Sequence, residues 1–85
     1  MQILVSQAAD ELLDMQGGDA SFAAGLGRGK TMLSARSRGA VNVQVIMEAL
    51  GGGGHQTVAA AQLDVSPEEA IQKVVEVLRE NGIVE

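Results

Sequence analysis

Gly51-Gly52-Gly53-Gly54-His55-Gln56-Thr57-Val58-Ala59-Ala60-Ala61 is the stretch from which the rest of this chain is best read. Consecutive glycines cost more backbone entropy to order than almost any other run, so a folded domain that keeps them needs bare main chain there. One reading is a helix stop or loop. The other is close approach of a ligand, with glycine N–H groups converging on an anion and His55 adding a hydrogen bond or a titratable charge. The His and the alanines that follow favour binding. Beyond His55 the propensities conflict, because alanine favours helix while Thr57 and Val58 favour strand. We expect one helical turn from about His55 to Ala60 and then a strand over Ala61–Val65. That arrangement would put the glycine amides at a helix N-terminus, where the dipole favours phosphate.

Working back from the glycines, Asn42 can cap a helix whose apolar positions are Val43, Ile46, Met47 and Leu50, with Gly51 as its left-handed stop. Ala20, Phe22, Ala24 and Leu26 alternate with Ser21, Ala23 and Gly25, the period of a strand, and Thr31–Arg36 reads as its hairpin partner. The intervening Gly25-Leu26-Gly27-Arg28-Gly29-Lys30-Thr31 ends like a phosphate-binding P-loop. That motif requires glycine where this chain has Ala24, and it opens a helix rather than joining two strands, so we read a hairpin tip. Nearer the N-terminus, Val5, Ala8, Ala9, Leu12 and Leu13 follow the spacing of an amphipathic helix stopped by Gly17-Gly18. Asp10, Glu11 and Asp14 would be its solvated face and not a metal cluster. Towards the C-terminus, Ser66, Pro67 and Glu69 form a helix start, Ala70, Ile71, Val74, Val75 and Leu78 its buried stripe, Glu69 and Lys73 an i,i+4 pair, and Asn81-Gly82 its stop. The expected fold is α/β: one small domain over residues 1–85, a mixed sheet of three to four strands with helices packed against it.

Composition narrows the functions. Eighty-five residues make one domain. Cysteine is absent and histidine occurs once, which excludes disulfides and a Cys/His zinc site. A net charge of −5 argues against gripping a long nucleic acid, and Phe22 as the only aromatic excludes stacking on several rings. A nucleotide would be held by backbone, Arg and His. No run approaches the length of a membrane-spanning helix and no signal-peptide layout opens the chain, so a soluble, cytoplasmic piece is expected.

On the second strand Met32, Ser34 and Arg36 share one face, and Thr31, Leu33 and Ala35 the other. A hydroxyl and a forked guanidinium side by side suit one phosphate, although a surface or ion-paired arginine reads the same way.

Ser34-Ala35-Arg36-Ser37, Asn42-Val43-Gln44-Val45-Ile46-Met47-Glu48 and the Gly51–His55 run with Ala59-Ala60 resemble the DHH-associated domain of DHH-family phosphoesterases, from about Ala8 to the C-terminus. Ala61-Gln62, where many relatives have glycine, fits the branch found in GdpP-like cyclic di-AMP phosphodiesterases. The resemblance implies substrate binding through Ser34, Arg36, Gly51, Gly52, Gly53, Gly54 and His55. It implies hydrolysis of cyclic di-AMP or short oligonucleotides by a manganese-containing DHH domain earlier in a longer chain of the membrane-anchored type, of which this is a C-terminal piece that is not catalytic alone. A homodimer is compatible with it. An RNA-contacting module like that of alanyl-tRNA synthetases, or a packing or dimerisation module, remain the alternatives.

Overall fold

The computed structural model of the chain describes residues 11–15 and 19–83. Its elements are β1 (Glu11–Asp14), β2 (Ala20–Gly27), β3 (Lys30–Ser37), α1 (Val43–Ala49), β4 (Gly53–Gly54), β5 (Val58–Leu63) and α2 (Pro67–Glu80). The strands form a single five-stranded sheet in the order β1-β2-β3-β5-β4, with every pairing antiparallel. The expected architecture of helices packed on a small sheet holds. The sheet has one strand more than the three or four expected, and no parallel pair among the described residues.

The β2–β3 hairpin is the spine. Gly27 pairs with Lys30, which leaves Arg28-Gly29 as a two-residue turn with φ of 54° and 81°. Positive φ at both positions matches the twist of the flanking strands. The segment is therefore strand–turn–strand, as read from the sequence, and not the opening of a P-loop helix. Alternation then sorts the side chains: Ala20, Phe22 and Ala24 of β2 and Thr31, Leu33 and Ala35 of β3 are buried on one face. The buried Thr31 hydroxyl donates to the Val65 carbonyl, so it adds no unsatisfied polar group to the core.

Both helices cover that face. Helix α1 contributes Val43, Ile46 and Met47, and α2 contributes Ala70, Val74, Val77 and Leu78. Their ends follow local chemistry. Asn42 Oδ1 accepts from the N–H groups of Gln44 (3.0 Å) and Val45 (3.3 Å), and Ser66 Oγ accepts from Glu69 N–H (3.1 Å). Pro67 occupies the first turn of α2, and Asn81 caps its other end. No helix of the described residues is long and apolar enough to cross a membrane.

Two expectations are corrected. Glu11–Asp14 is a strand, not part of a helix: Glu11 pairs with Ala24 and Asp14 with Ser21. The unpaired edge of β2 offers ladder hydrogen bonds that outweigh a short helical pattern, and strand geometry sends Glu11 and Asp14 to opposite faces. Val5, Ala8, Ala9, Asp10, Gly17 and Gly18 lie outside the described residues. The second correction concerns His55–Ala60, which forms no helical turn. Val58–Leu63 is a strand paired on both sides, with Ala59 and Ala61 buried at a spacing of two. Pairing with the otherwise open edge of β3 overrides the weak helix preference of alanine.

Phe22 is completely buried at the centre of this core. Phe22→Ala is expected to lower the unfolding free energy in urea by about 3–5 kcal/mol, whereas half-exposed Val45→Ala changes it by less than about 0.5 kcal/mol.

Candidate functional site

Among the described residues the sheet is covered on one side only. Its other face is laid out in cross-strand rows set by the register. Arg36 stands between Ser21 and Val58, and Ser34 between Ala23 and Ala60, with Gly53 beyond Ala60. Adjacent strands lie about 4.8 Å apart, so the Ser34 and Gly53 backbones are about 10 Å from each other across the row. Arg36 and Ala60 are exposed and Ser34 is half-buried. The expected shared face of Ser34 and Arg36 is thus present, and it looks outward.

The four glycines do different things. Gly51 N–H donates to the Glu48 carbonyl (3.1 Å) and Gly52 N–H to the Met47 carbonyl (2.8 Å), closing α1 with Gly51 at φ 88°. These two amides are engaged, so they do not join an anion nest, and no helix follows to aim the others. Gly52 is required by space: a Cβ there would lie 2.0 Å from the Ala60 carbonyl oxygen. Gly54 is required by both space and conformation, with φ 146° and a Cβ position 2.5 Å from Ala59 Cα. Gly53 is required by neither. Its backbone lies outside the left-handed region, and an added Cβ would meet nothing within 4 Å.

His55 comes to the same end of the sheet as Arg36. Its N–H donates to the Val58 carbonyl (2.7 Å), and Val58 is the register partner of Arg36. The turn is anchored twice more: the Gln56 carbonyl accepts from Val43 N–H (3.0 Å), and the Thr57 carbonyl from Ser37 N–H (2.9 Å). The start of α1 and the end of β3 therefore hold this turn in place. His55 itself is exposed. Among the described residues the one ion pair is Lys30–Asp64 (2.7 Å), so no described carboxylate bridges the exposed Arg36 guanidinium. Also among the described residues, no three His, Cys, Asp or Glu side chains converge as metal ligands would.

Ser34, Arg36, Gly53 and His55 are brought together, while Gly51, Gly52 and Gly54 act from behind as the scaffold of a bare strand. Sequence reasoning missed Ser21, Val58 and Ala60, which flank Arg36 and Ser34. The alternation of β2 already set Ser21 apart from the buried residues, but the two β5 residues were hidden by the helical reading.

A family model described as the DHHA1 domain matches residues 2–81. The chain belongs to the DHHA1 family. The DHH-associated resemblance read from Ser34–Ser37 and Gly51–His55 is thereby borne out. This DHHA1 domain is 54% identical over 81 residues to the cyclic-di-AMP phosphodiesterase GdpP of Geobacillus thermodenitrificans, a match covering 93% of the chain and 12% of the relative. It is 53% identical over 75 residues to GdpP of Bacillus subtilis, covering 86% of the chain and 11% of that protein. The cyclic-di-AMP phosphodiesterase PdeA of Listeria monocytogenes is 51% identical over 75 residues, again 86% of the chain and 11% of the relative. The domain thus spans only about an eighth of the length of the curated relatives it matches.

Gly52→Ala should disrupt the β4–β5 pairing, because the clash is with backbone that cannot swing away. Thermal melting and amide spectra should show a destabilised domain, while Gly53→Ala melts within a few degrees of the unaltered chain.

Proposed function

We propose that this DHHA1 domain is the substrate-binding module of a DHH-family phosphodiesterase that hydrolyses cyclic di-AMP or short oligonucleotides. The observation that carries the proposal is Gly53: it lacks a side chain without internal need, in the same row as Ser34 and beside the row of Arg36, on the uncovered face. A site kept bare by no demand of the fold suits a ligand that must lie flat against main chain. The similarity to three cyclic-di-AMP phosphodiesterases supplies the substrate class.

In this reading the Arg36 guanidinium forks onto two oxygens of one phosphate, and the Ser34 hydroxyl donates to a third or to a bridging oxygen. The sugar or a base edge passes over Gly53 and Ala60. His55, beside Val58 at the end of the Arg36 row, donates an imidazole N–H to the ligand. Gly51, Gly52 and Gly54 contribute by keeping that strand close and smooth. The domain positions substrate and leaves the bond cleavage to residues elsewhere in the parent. The manganese that the resemblance implies would belong to a DHH domain of the same chain. That domain would close over the substrate from the other side of a cleft. The chain's net charge of −5 favours a short phosphate ligand over a long RNA.

Titration with cyclic di-AMP, followed by amide spectra, should move resonances of Arg36, Gly53 and His55. Arg36→Ala is expected to weaken binding roughly 10–100-fold, the range for loss of a charge-assisted hydrogen bond, with an unchanged melting temperature because the side chain is exposed. Undiminished affinity in that variant, or shifts confined to the helices, would refute the assignment.

A further inference from the structure

The end of the open face that carries Arg36 leads into a hollow of about 500 Å3, where β1, β2 and β3 come together. Asp14, Asp19, Ser21, Arg36 and Arg38 line it. Its size is that of a site for a small molecule or one nucleoside unit. Asp14, Ser21 and Arg36 belong to one cross-strand row, so the Asp14 and Arg36 backbones are about 10 Å apart, two strand spacings, with side chains to close the gap. Arg38 is held at the rim by its N–H, which donates to the Asp19 carbonyl (2.9 Å). Lys30–Asp64 being the one ion pair among the described residues, neither arginine is bridged to a described carboxylate.

Phosphate binding accounts for the arginines and not for the aspartates. A carboxylate beside a bound phosphate opposes it by like charge, unless the same ligand also offers hydrogen-bond donors to that carboxylate. An ionised carboxylate is an acceptor only, and a ribose supplies hydroxyl donors close to its phosphate. Acidic side chains read the ribose 2′-hydroxyl in this way in dinucleotide-binding folds.

We infer that the hollow is a ribose-reading subsite: with the phosphate on Arg36 and Arg38, the acidic pair Asp14 and Asp19 supplies the carboxylate that accepts the hydrogen bond of the ribose 2′-hydroxyl of the attached nucleotide, so the domain prefers ribonucleotides to deoxyribonucleotides. The inference rests on the phosphate-binding role of Arg36 proposed above and adds the selection of sugar, through residues outside the glycine strand.

Calorimetric titration of the chain with cyclic di-AMP and with its 2′-deoxy counterpart tests it. The unaltered chain should bind the ribonucleotide about tenfold more tightly, as expected for a hydrogen bond to a charged group. In Asp14→Ala/Asp19→Ala that ratio should fall to about one, with affinity for the deoxy ligand unchanged or raised. Both aspartates are exposed, and the Asp19 contact to Arg38 uses main chain, so the variant should keep its amide spectrum. Equal affinity of the unaltered chain for the two ligands, or discrimination that survives the double replacement, overturns the ribose subsite while leaving the Arg36 reading intact. Absence of binding by either ligand overturns both.

Discussion

Gly52 and Gly54 lie so close to β5 that a methyl group at either would strike backbone, 2.0 Å from the Ala60 carbonyl oxygen in the first case and 2.5 Å from Ala59 Cα in the second. The rest of the site follows from this contact. Because α1 ends at Ala49, is closed by Gly51, and the chain then passes into β4 alongside β5, the helix terminus and the sheet edge are joined with a very short loop. On the β5 side the contact is made by the backbone and Cβ atoms of Ala59 and Ala61 and by the Ala60 carbonyl, the atoms that a side chain at Gly54 or Gly52 would strike. The return through His55, Gln56 and Thr57 is then short enough for their main-chain groups to bond with Val58, Val43 and Ser37.

A second consequence is the division between the two faces. Phe22, Leu33, Ile46, Met47 and Leu78 supply the largest fully buried side chains, all between the sheet and the helices. The opposite face presents Ser21, Ala23, Ser34, Ala60 and Gly53 around Arg36, together with the exposed apolar side chains of Leu12, Met32 and Val58. Arg36 is the charged group placed centrally there, with the His55 turn on one side and the Asp14–Ser21 edge on the other. Binding on such a surface depends on backbone rows held in register more than on a deep enclosure. In the proposed binding mode, the bonds that anchor the turn to β3 and α1 would act by holding His55 in place beside the Arg36 row.

The DHHA1 assignment and the geometry point to one division of labour. Residues required by packing, such as Gly52 and Phe22, cannot be separated from stability. Residues without an internal role, such as Arg36, Gly53 and the aspartates of the β1–β2 edge, can be altered with little effect on stability, which makes the ligand contacts proposed for them separable from the fold. A net charge of −5 over 85 residues fits this arrangement, because a few fixed cations can hold a short phosphate ligand where a long polyanion would be repelled.

Much of this was legible locally. The hairpin, the caps at Asn42 and Ser66, the stop at Gly51 and the shared face of Ser34 and Arg36 depend on interactions between near neighbours or on strict alternation, so a single chain of letters contains them. Glu11–Asp14 and Val58–Ala60 were misread because their conformation is chosen by a partner distant in sequence: β2 for the first, β3 and β4 for the second. The glycine run was recognised as important, but its reasons could not be apportioned until β5 lay beside it. Sequence alone determined the β2–β3 hairpin, the two capped helices and the common face of Ser34 and Arg36, since propensity and period are properties of the local chain. Only the tertiary structure decided which glycines are sterically required, which face is open and that His55 ends in the row of Arg36, because each of these depends on distances between segments that have no covalent reason to meet.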